Sequence, residues 1–310
     1  MNAPPVTGSS QPATSDRDAR VRHVLLVSSV VGAIVTWVWV MTSPASGWDA
    51  HVYWSVALSH PYASSTAGVP GAYLYSPAFR QVLEPLAVLP WPVFHGIWTA
   101  LMLATIVVLC GPFAVLVIAN PIVLFELQTG NIHALLAVAI VAGFRYPAAW
   151  AFVLLTKVTP GIGLVWFAVR REWRNLALAL AATALIGLVS FVLAPGLWFG
   201  WVRSLVQNAA IPSSDYGASL FGPLWLRAVV AVVLVSWGGL TDHRWTLPVA
   251  ATLAIPLLAL YNLALLIALV PLALPRAAAF RGNSAIIPVG RLASPWRPRV
   301  PRLGAVAGRS

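Results

Sequence analysis

Residues 22–43 read RHVLLVSSVVGAIVTWVWVMTS, an apolar run long enough to cross the hydrocarbon core of a bilayer as one helix. The whole chain shares this character, since 59% of its 310 residues are hydrophobic and only 9% are charged. A soluble domain carries about 25% charged residues, which keep its surface in water. The sequence therefore predicts an all-α, multi-pass membrane protein and excludes a soluble globular domain, a disordered chain and a fibrous repeat.

Basic residues gather at the two ends of the chain, whose net charge is +11. Arg17, Arg20 and Arg22 flank the first span, and seven arginines with no acid follow from Arg276 onward. Because basic flanks stay on the cytoplasmic side, we predict a plasma-membrane protein with both termini inside and an even number of crossings. The predicted parts are a disordered cytoplasmic tail (1–20), a membrane domain (21–275) and a basic cytoplasmic tail (276–310).

The reactive side chains in the sequence limit the partners, metals and cofactors that the protein could bind. Membrane lipids are expected partners, whereas nucleic acid is not, because no basic stripe interleaves with aromatic residues. The single cysteine, Cys110, excludes a disulfide framework and a cysteine-based metal site within one chain. The histidines show no metal-ligand spacing, and HExxH, P-loop and GxGxxG motifs are absent from the sequence. We therefore expect no metal and no other cofactor.

Several apolar segments are broken by proline or polar residues. Segment 147–169 has arginines at both ends, so the positive-inside rule favours a hairpin of two short helices bent near Thr159 and Pro160. The same reasoning predicts a second hairpin in 247–275, and 112–130 is predicted to be a broken or re-entrant element at the outer face. Such a helical bundle with short helices is expected to enclose a cavity. The predicted apolar segments after the first are 76–89, 92–119, 131–144, 147–169, 175–194, 223–239 and 247–275.

Polar residues collect in two predicted outer loops, 44–75 and 195–222, which places a candidate site at the extracytoplasmic face. Asp49 lies among aromatic residues, where desolvation would raise its pKa and suit it to act as a general base. It could equally be a helix N-cap or a solvated acid. Tyr73 and Tyr75 precede a span and could be ordinary interface residues.

Three further features carry candidate chemistry. Arg80 lies inside the outer end of a span, where it would either snorkel to water or bind an anion. The polar run 128–133 could hold helices together or bind sugar hydroxyls. Lys157, the only lysine, lies in an apolar stretch and suits a lipid phosphate, unless it forms a structural pair with Glu126 or Glu84.

In order along the chain, the motifs at 49–54, 73–77 and 128–131 and the KVTPG sequence at 157–161 followed by RREWR at 170–174 resemble glycosyltransferase family 87. The resemblance spans roughly residues 20–275, and its most specific part is the KVTPG and RREWR stretch. It implies a GT-C architecture and a polyprenyl-phosphate-sugar donor, with mannose as the first choice and an envelope glycolipid or glycan as acceptor. It also implies that neither a nucleotide nor a metal is needed.

The same resemblance assigns roles to individual residues. Asp49 would be the general base, Lys157 would lie near the donor phosphate, and Tyr75 would line the sugar pocket. The remaining predicted substrate-binding residues are Gln128 and Asn131 from the resemblance, His51 and Tyr53 from the Asp49 motif, and Arg80 and Arg203 from their place at the outer face.

Two other functions stay open. The late segment 256–262 reads PLLALYN and lacks a histidine that the family often carries there, which is compatible with a non-catalytic GT-C homologue. A lipid or sugar transporter would also have broken helices, although transporters usually show repeated halves and this sequence shows none.

Overall fold

The computed structural model describes residues 13–56, 61–62, 65–69, 71–209 and 220–273. Throughout these ranges the regular elements are all helical, which confirms the predicted fold class. Four helices are long and apolar enough to cross a membrane, and a fifth crossing is possible if one bent helix pair counts as a span. The four are Asp16–Thr42, Trp91–Ile118, Trp173–Leu193 and Leu224–Thr241.

The α-helices are numbered in chain order, and short 3-10 segments connect several of them. They are α1 (Ala13–Thr42), α2 (Trp48–Ser55), α3 (Pro77–Ala87), α4 (Trp91–Cys110), α5 (Ala114–Ile118), α6 (Pro121–Thr129), α7 (His133–Gly143), α8 (Trp150–Thr156), α9 (Val165–Val169), α10 (Trp173–Leu193), α11 (Pro195–Ala209), α12 (Leu224–Thr241), α13 (Thr246–Leu253) and α14 (Leu269–Ala273). The 3-10 helices are Gly111–Phe113, Pro147–Ala149, Thr159–Leu164 and Leu260–Ala268.

The long helices differ in what surrounds them. Half of the apolar window in Trp91–Ile118 is buried, against 11% of that in Trp173–Leu193. Valine side chains such as Val35 on α1 and Val192 on α10 are exposed, as expected for surfaces that face lipid. The α4 region is therefore the inner helix of the bundle, and α1 and α10 lie towards its outside.

The predicted interruptions are present. Segment 147–169 breaks at Lys157 and Val158, just before the proline that opens the next 3-10 turn. Segment 247–275 breaks after Leu253, and α6 and α7 meet at a bend of 107°. Whether these pairs return to the same membrane face, like the sidedness of the termini and the parity of the crossings, stays a prediction.

Two boundary predictions need correction. The chain is already helical from Ala13, where a disordered tail was expected up to residue 20, and Asp16 in the first turn suits the positive end of the helix dipole. The expected outer loop 195–222 is helical over α11, whose first residue is a proline with the backbone angle that a helix start requires. Residues 1–12 and the predicted basic tail 276–310 lie outside the described residues.

Close backbone contacts fix α2 against the α6–α7 bend. The Gly47 N–H donates to the Gln128 carbonyl at 2.6 Å, and the Trp98 indole donates to the Gly130 carbonyl at 2.7 Å. Gly130 has a φ of +73° and passes so close to Ala50 that a Cβ atom at residue 130 would lie 2.7 Å from the Ala50 side chain. Only glycine meets both conditions without strain, so the bend and α2 are placed together.

Candidate active site

Asp49 lies in the first turn of α2 and points to the α6–α7 bend. Gly47, not Asp49, is the N-cap residue, which excludes the N-cap interpretation. The Asn131 amide donates to Asp49 Oδ2 at 2.7 Å. Burial raises the pKa of Asp49 above its ordinary value of 3.8, against the Asn131 hydrogen bond and the Lys157 charge, which lower it. The carboxylate is thus held in place and made more basic, as a general base requires.

Two tyrosines form one wall beside Asp49. The hydroxyls of Tyr53 and Tyr75 are hydrogen-bonded at 2.8 Å, and their rings pack edge to face at 5.2 Å. Burial raises the pKa of both well above the usual value, and the Asp49 charge raises it further. Both therefore stay neutral and can offer hydrogen bonds, but neither can serve as a base at physiological pH.

A second polar group consists of Glu126, His133 and Lys157, and two of its members are completely buried. The side chains of Glu126 and His133 have no exposed area, and Glu126 Oε2 lies 3.0 Å from His133 Nδ1. Glu126 also accepts the backbone N–H of His133 at 2.7 Å. On the other side of the imidazole, Lys157 Nζ lies 2.7 Å from His133 Nε2. The lysine is therefore linked to Glu126 through a histidine, and the exposed Glu84 is not its partner.

Asn262 fixes the tautomer of that histidine. Its Oδ1 accepts the backbone N–H of Ala259 at 2.5 Å, so its amide nitrogen faces His133 Nε2 at 2.9 Å and must donate. Lys157 is also a donor, so Nε2 carries a lone pair and the imidazole proton resides on Nδ1, facing Glu126. The ammonium of Lys157 keeps two further N–H groups that can bind an anion.

An aromatic groove opens beside α2, the helix that carries Asp49, although Asp49 does not line it. It encloses about 420 Å³ and is lined by residues that include Trp48, His51, Trp91 and Ser46. Trp48 is 53% exposed, and the His51 ring packs against Trp91 with centroids 4.8 Å apart. Exposed aromatic faces next to a polar edge are suited to a sugar ring, whose C–H groups pack on the faces while its hydroxyls reach polar atoms.

Arg80 lies on α3 and is only 5% exposed. Its Nε and Nη1 atoms are buried and have no hydrogen-bond partner. These two atoms do not reach water, so the interpretation of Arg80 as an anion-binding residue stays open. The neighbouring Tyr73 is completely buried, which excludes its being an interface residue, and its hydroxyl also lacks a partner.

The remaining predicted site residues, Gln128 and Arg203, make fewer contacts with the site. Gln128 contributes its backbone carbonyl to Gly47, and its side chain is half-buried. Arg203 is exposed on α11, and within the described ranges none of the hydrogen bonds or ion pairs of the site involves it. The structure thus brings together Asp49, Tyr53, Tyr75, Asn131 and Lys157, with His51 in the adjoining groove, and leaves Arg203 apart.

Sequence reasoning included His133 only as the end of the polar run 128–133, did not connect Asn262 with it, and treated Glu126 only as a structural partner of Lys157. The spacing of Glu126 and His133, seven residues apart across a glycine-containing bend, is the one local signal that could have linked them. The contact of Asn262 with His133 joins residues 129 positions apart and has no such signal. Among the described residues, no group of three His, Cys, Asp or Glu side chains is placed to hold a metal ion.

A multi-pass helical protein with a carboxylate, an imidazole and an ammonium gathered at a helix break has the features of a membrane-embedded enzyme. The chain belongs to glycosyltransferase family 87, whose family model matches residues 73–295, more than half of the chain. It is therefore a glycosyltransferase of a membrane. No curated protein and no solved structure matches the chain. Asp49 precedes the matched region, so its role depends on the geometry alone.

Proposed function

We propose that the protein is an inverting glycosyltransferase of the plasma membrane. It transfers a sugar, mannose in the first instance, from a polyprenyl-phosphate donor to an envelope glycolipid or glycan at the extracytoplasmic face. Family membership supports the reaction class. The observation that carries the mechanism is the Asp49 carboxylate, held at 2.7 Å by Asn131 and made more basic by burial.

In this mechanism a single carboxylate is sufficient. Asp49 accepts the proton of an acceptor hydroxyl while the hydroxyl oxygen bonds to C1 of the donor sugar. The bond from C1 to the phosphate oxygen breaks at the same time, and the lipid phosphate leaves with the electron pair. The attack and departure occur on opposite faces of C1, so the configuration inverts. The phosphate is itself a stable leaving group, and the proposal therefore includes no metal or other cofactor.

The surrounding residues have distinct proposed roles. Lys157, oriented by its hydrogen bond to His133, places positive charge near the departing phosphate. Asn131 positions Asp49, and the paired hydroxyls of Tyr53 and Tyr75 offer hydrogen bonds to the sugar. The aromatic groove beside α2 receives the acceptor glycan. A GT-C architecture, with the site at one membrane face, would provide this arrangement.

The direct test is a transfer assay with Asp49→Asn. Membranes with the wild type or the variant receive labelled polyprenyl-phosphate mannose, then the arabinose donor, with an envelope lipid extract as acceptor. We expect the variant to lose about 10²- to 10⁴-fold in rate, because the general base is removed while the amide keeps its shape. Asp16→Asn, at an exposed position of α1, is the matched control and should keep full activity.

Three results would contradict the proposal. Full activity of Asp49→Asn would exclude Asp49 as the base. Donor binding without transfer by the folded wild type would favour a non-catalytic homologue, and Asp49-independent lipid or sugar flux in proteoliposomes would favour a transporter.

A further inference from the structure

Arg80 is a buried cation that none of the described residues neutralises. Within the described part of the chain it takes part in no ion pair, and two of its guanidinium nitrogens lack any partner. Glu84 is one helical turn further along α3, at a spacing that allows pairing, but it is exposed and the two are not paired. Because buried arginines are almost always paired, an unpaired one indicates a missing anion.

The Tyr73 hydroxyl is a second unsatisfied group in the same place. Tyr73 has no exposed area, and its hydroxyl has no hydrogen-bond partner. Burial raises the pKa of Tyr73 and the Arg80 charge lowers it, so the two groups are electrostatic neighbours. Tyr73 is therefore a neutral donor beside a cation, a combination that suits an oxyanion.

The helix that carries Arg80 is firmly held, so the unpaired charge is not the result of a loose element. The Gln81 amide donates to the Ser190 carbonyl at 3.2 Å, and the Ser76 hydroxyl donates to the Leu155 carbonyl at 2.5 Å. The side chain between these two anchors is enclosed by protein on a fixed helix. Its unpaired nitrogens therefore form a prepared binding position.

This position is one aromatic layer from Asp49. The Tyr73 ring packs against the Tyr75 ring at 5.5 Å, and Tyr75 is hydrogen-bonded to Tyr53 beside Asp49. An anion at Arg80 would thus be close to the proposed reaction centre.

Arg80 also has the shape that this kind of ligand requires. Its planar guanidinium fork matches two oxygens of a phosphodiester, which carries one negative charge.

We propose that Arg80 and Tyr73 form a binding site for a lipid phosphate, in addition to Lys157. Its ligand is the phosphodiester of the sugar donor, an assignment that rests on the proposed transfer reaction. Membrane phospholipids and free phosphate carry the same chemical group, so the test must distinguish the three.

The test measures binding to the purified full chain in detergent micelles. The probes are polyprenyl-phosphate mannose, phosphatidylglycerol and inorganic phosphate, with Kd and ligand-induced change in Tm as the readouts. For Arg80→Gln we expect the Kd of the mannose donor to rise about 10- to 100-fold, because a charge-assisted hydrogen-bonding pair is lost. Tyr73→Phe should raise it less, and Arg174→Gln, at an exposed arginine, should leave it unchanged.

The ligand-free Tm separates a binding role from a structural one. Arg80→Gln removes an unpaired buried charge, so we expect the empty variant to melt at or above the wild-type temperature. A lower Tm together with unchanged donor affinity would overturn the proposal. If Arg80→Gln does not fold, Arg80→Lys tests the same point, since it keeps the charge but loses the fork and should bind the donor more weakly.

The other outcomes are equally decisive. Arg80-dependent binding of phosphatidylglycerol as tight as that of the donor would overturn the donor assignment, and binding of inorganic phosphate alone would overturn the lipid assignment. Asp49→Asn should bind the donor like the wild type. Arg80-dependent donor binding without transfer would therefore refute the proposed function but support this site, while transfer with unchanged donor binding by Arg80→Gln would do the reverse.

Discussion

Lys157 and Arg80 are two cations enclosed by the same bundle, but they differ in their hydrogen-bond partners. Lys157 is bonded to His133, whose imidazole is in turn bonded to the buried Glu126. Arg80 has two buried nitrogens without any partner. The first arrangement has protein partners before any ligand binds, although the Lys157 ammonium keeps two N–H groups that can bind one. The second is complete only when an anion binds, so the difference separates preorganised machinery from a prepared binding site.

The largest expected difference between the two regions is in stability. Glu126→Gln should lower the free energy of unfolding by about 3–5 kcal/mol, because it removes the anion of a fully buried hydrogen-bonded group and leaves the Lys157 charge uncompensated. Arg80→Gln should cost nothing by the same measurement. Reversible unfolding in mixed detergent micelles would provide both values.

Glu84→Gln is the control for this experiment, since Glu84 is exposed and its replacement should change stability by less than about 0.5 kcal/mol. Equal losses of unfolding free energy for Glu126→Gln and Arg80→Gln would show that both Lys157 and Arg80 have structural roles. The proposed difference between the two cations would then be wrong.

An intermediate effect on stability is expected for a substitution at the α6–α7 bend, which lies between the Lys157 group and Asp49. Gly130→Ala should destabilise the protein by about 2–4 kcal/mol, because it adds a side chain at positive φ and drives it into Ala50. Gly222→Ala, at a φ of +80° with open space around it, should cost only the backbone strain of about 1–2 kcal/mol.

Gly130→Ala should also change the transfer activity. Gly130→Ala should reduce transfer in the fraction that stays folded, because it displaces α2 and with it the contact between Asp49 and Asn131. Donor binding at Arg80 should persist. A variant with normal transfer would show that the close approach of the bend to α2 does not position the base.

The smallest expected effect is on pH dependence. Transfer needs ionised Asp49, so kcat/KM should fall as the pH is lowered through the pKa of Asp49, which burial places above its ordinary value. Asn131→Ala removes a hydrogen bond that lowers this pKa, and the acidic limb should move to higher pH. Arg80 is not among the groups that shift the pKa of Asp49, so Arg80→Gln should leave the limb in place. An acidic limb that moved with Arg80→Gln and not with Asn131→Ala would reverse the assignment of the two regions.

Much of the framework follows from the sequence because it depends on local composition. The spans are set by runs of apolar residues that match the bilayer, and the breaks occur where prolines and polar residues interrupt those runs. Asp49, Lys157 and the tyrosines were also recognisable, since polar side chains are rare in such a chain. The errors, in the first tail and in the loop that contains α11, fell where the composition is mixed and helix signals are weak.

The composition and pattern of the chain are enough to predict a helical membrane protein with broken helices and a short set of candidate polar residues. Which of these residues have partners depends on the folded structure. Asp49 meets Asn131 across 82 positions and His133 meets Asn262 across 129, whereas Arg80 meets no anion among the described residues. Hydrogen bonds act over about 3 Å, so pairing depends on how helices pack, and no local pattern records that. The same packing also buries Arg80. Its burial without a partner among the described residues is the reason for proposing that it binds a lipid phosphate.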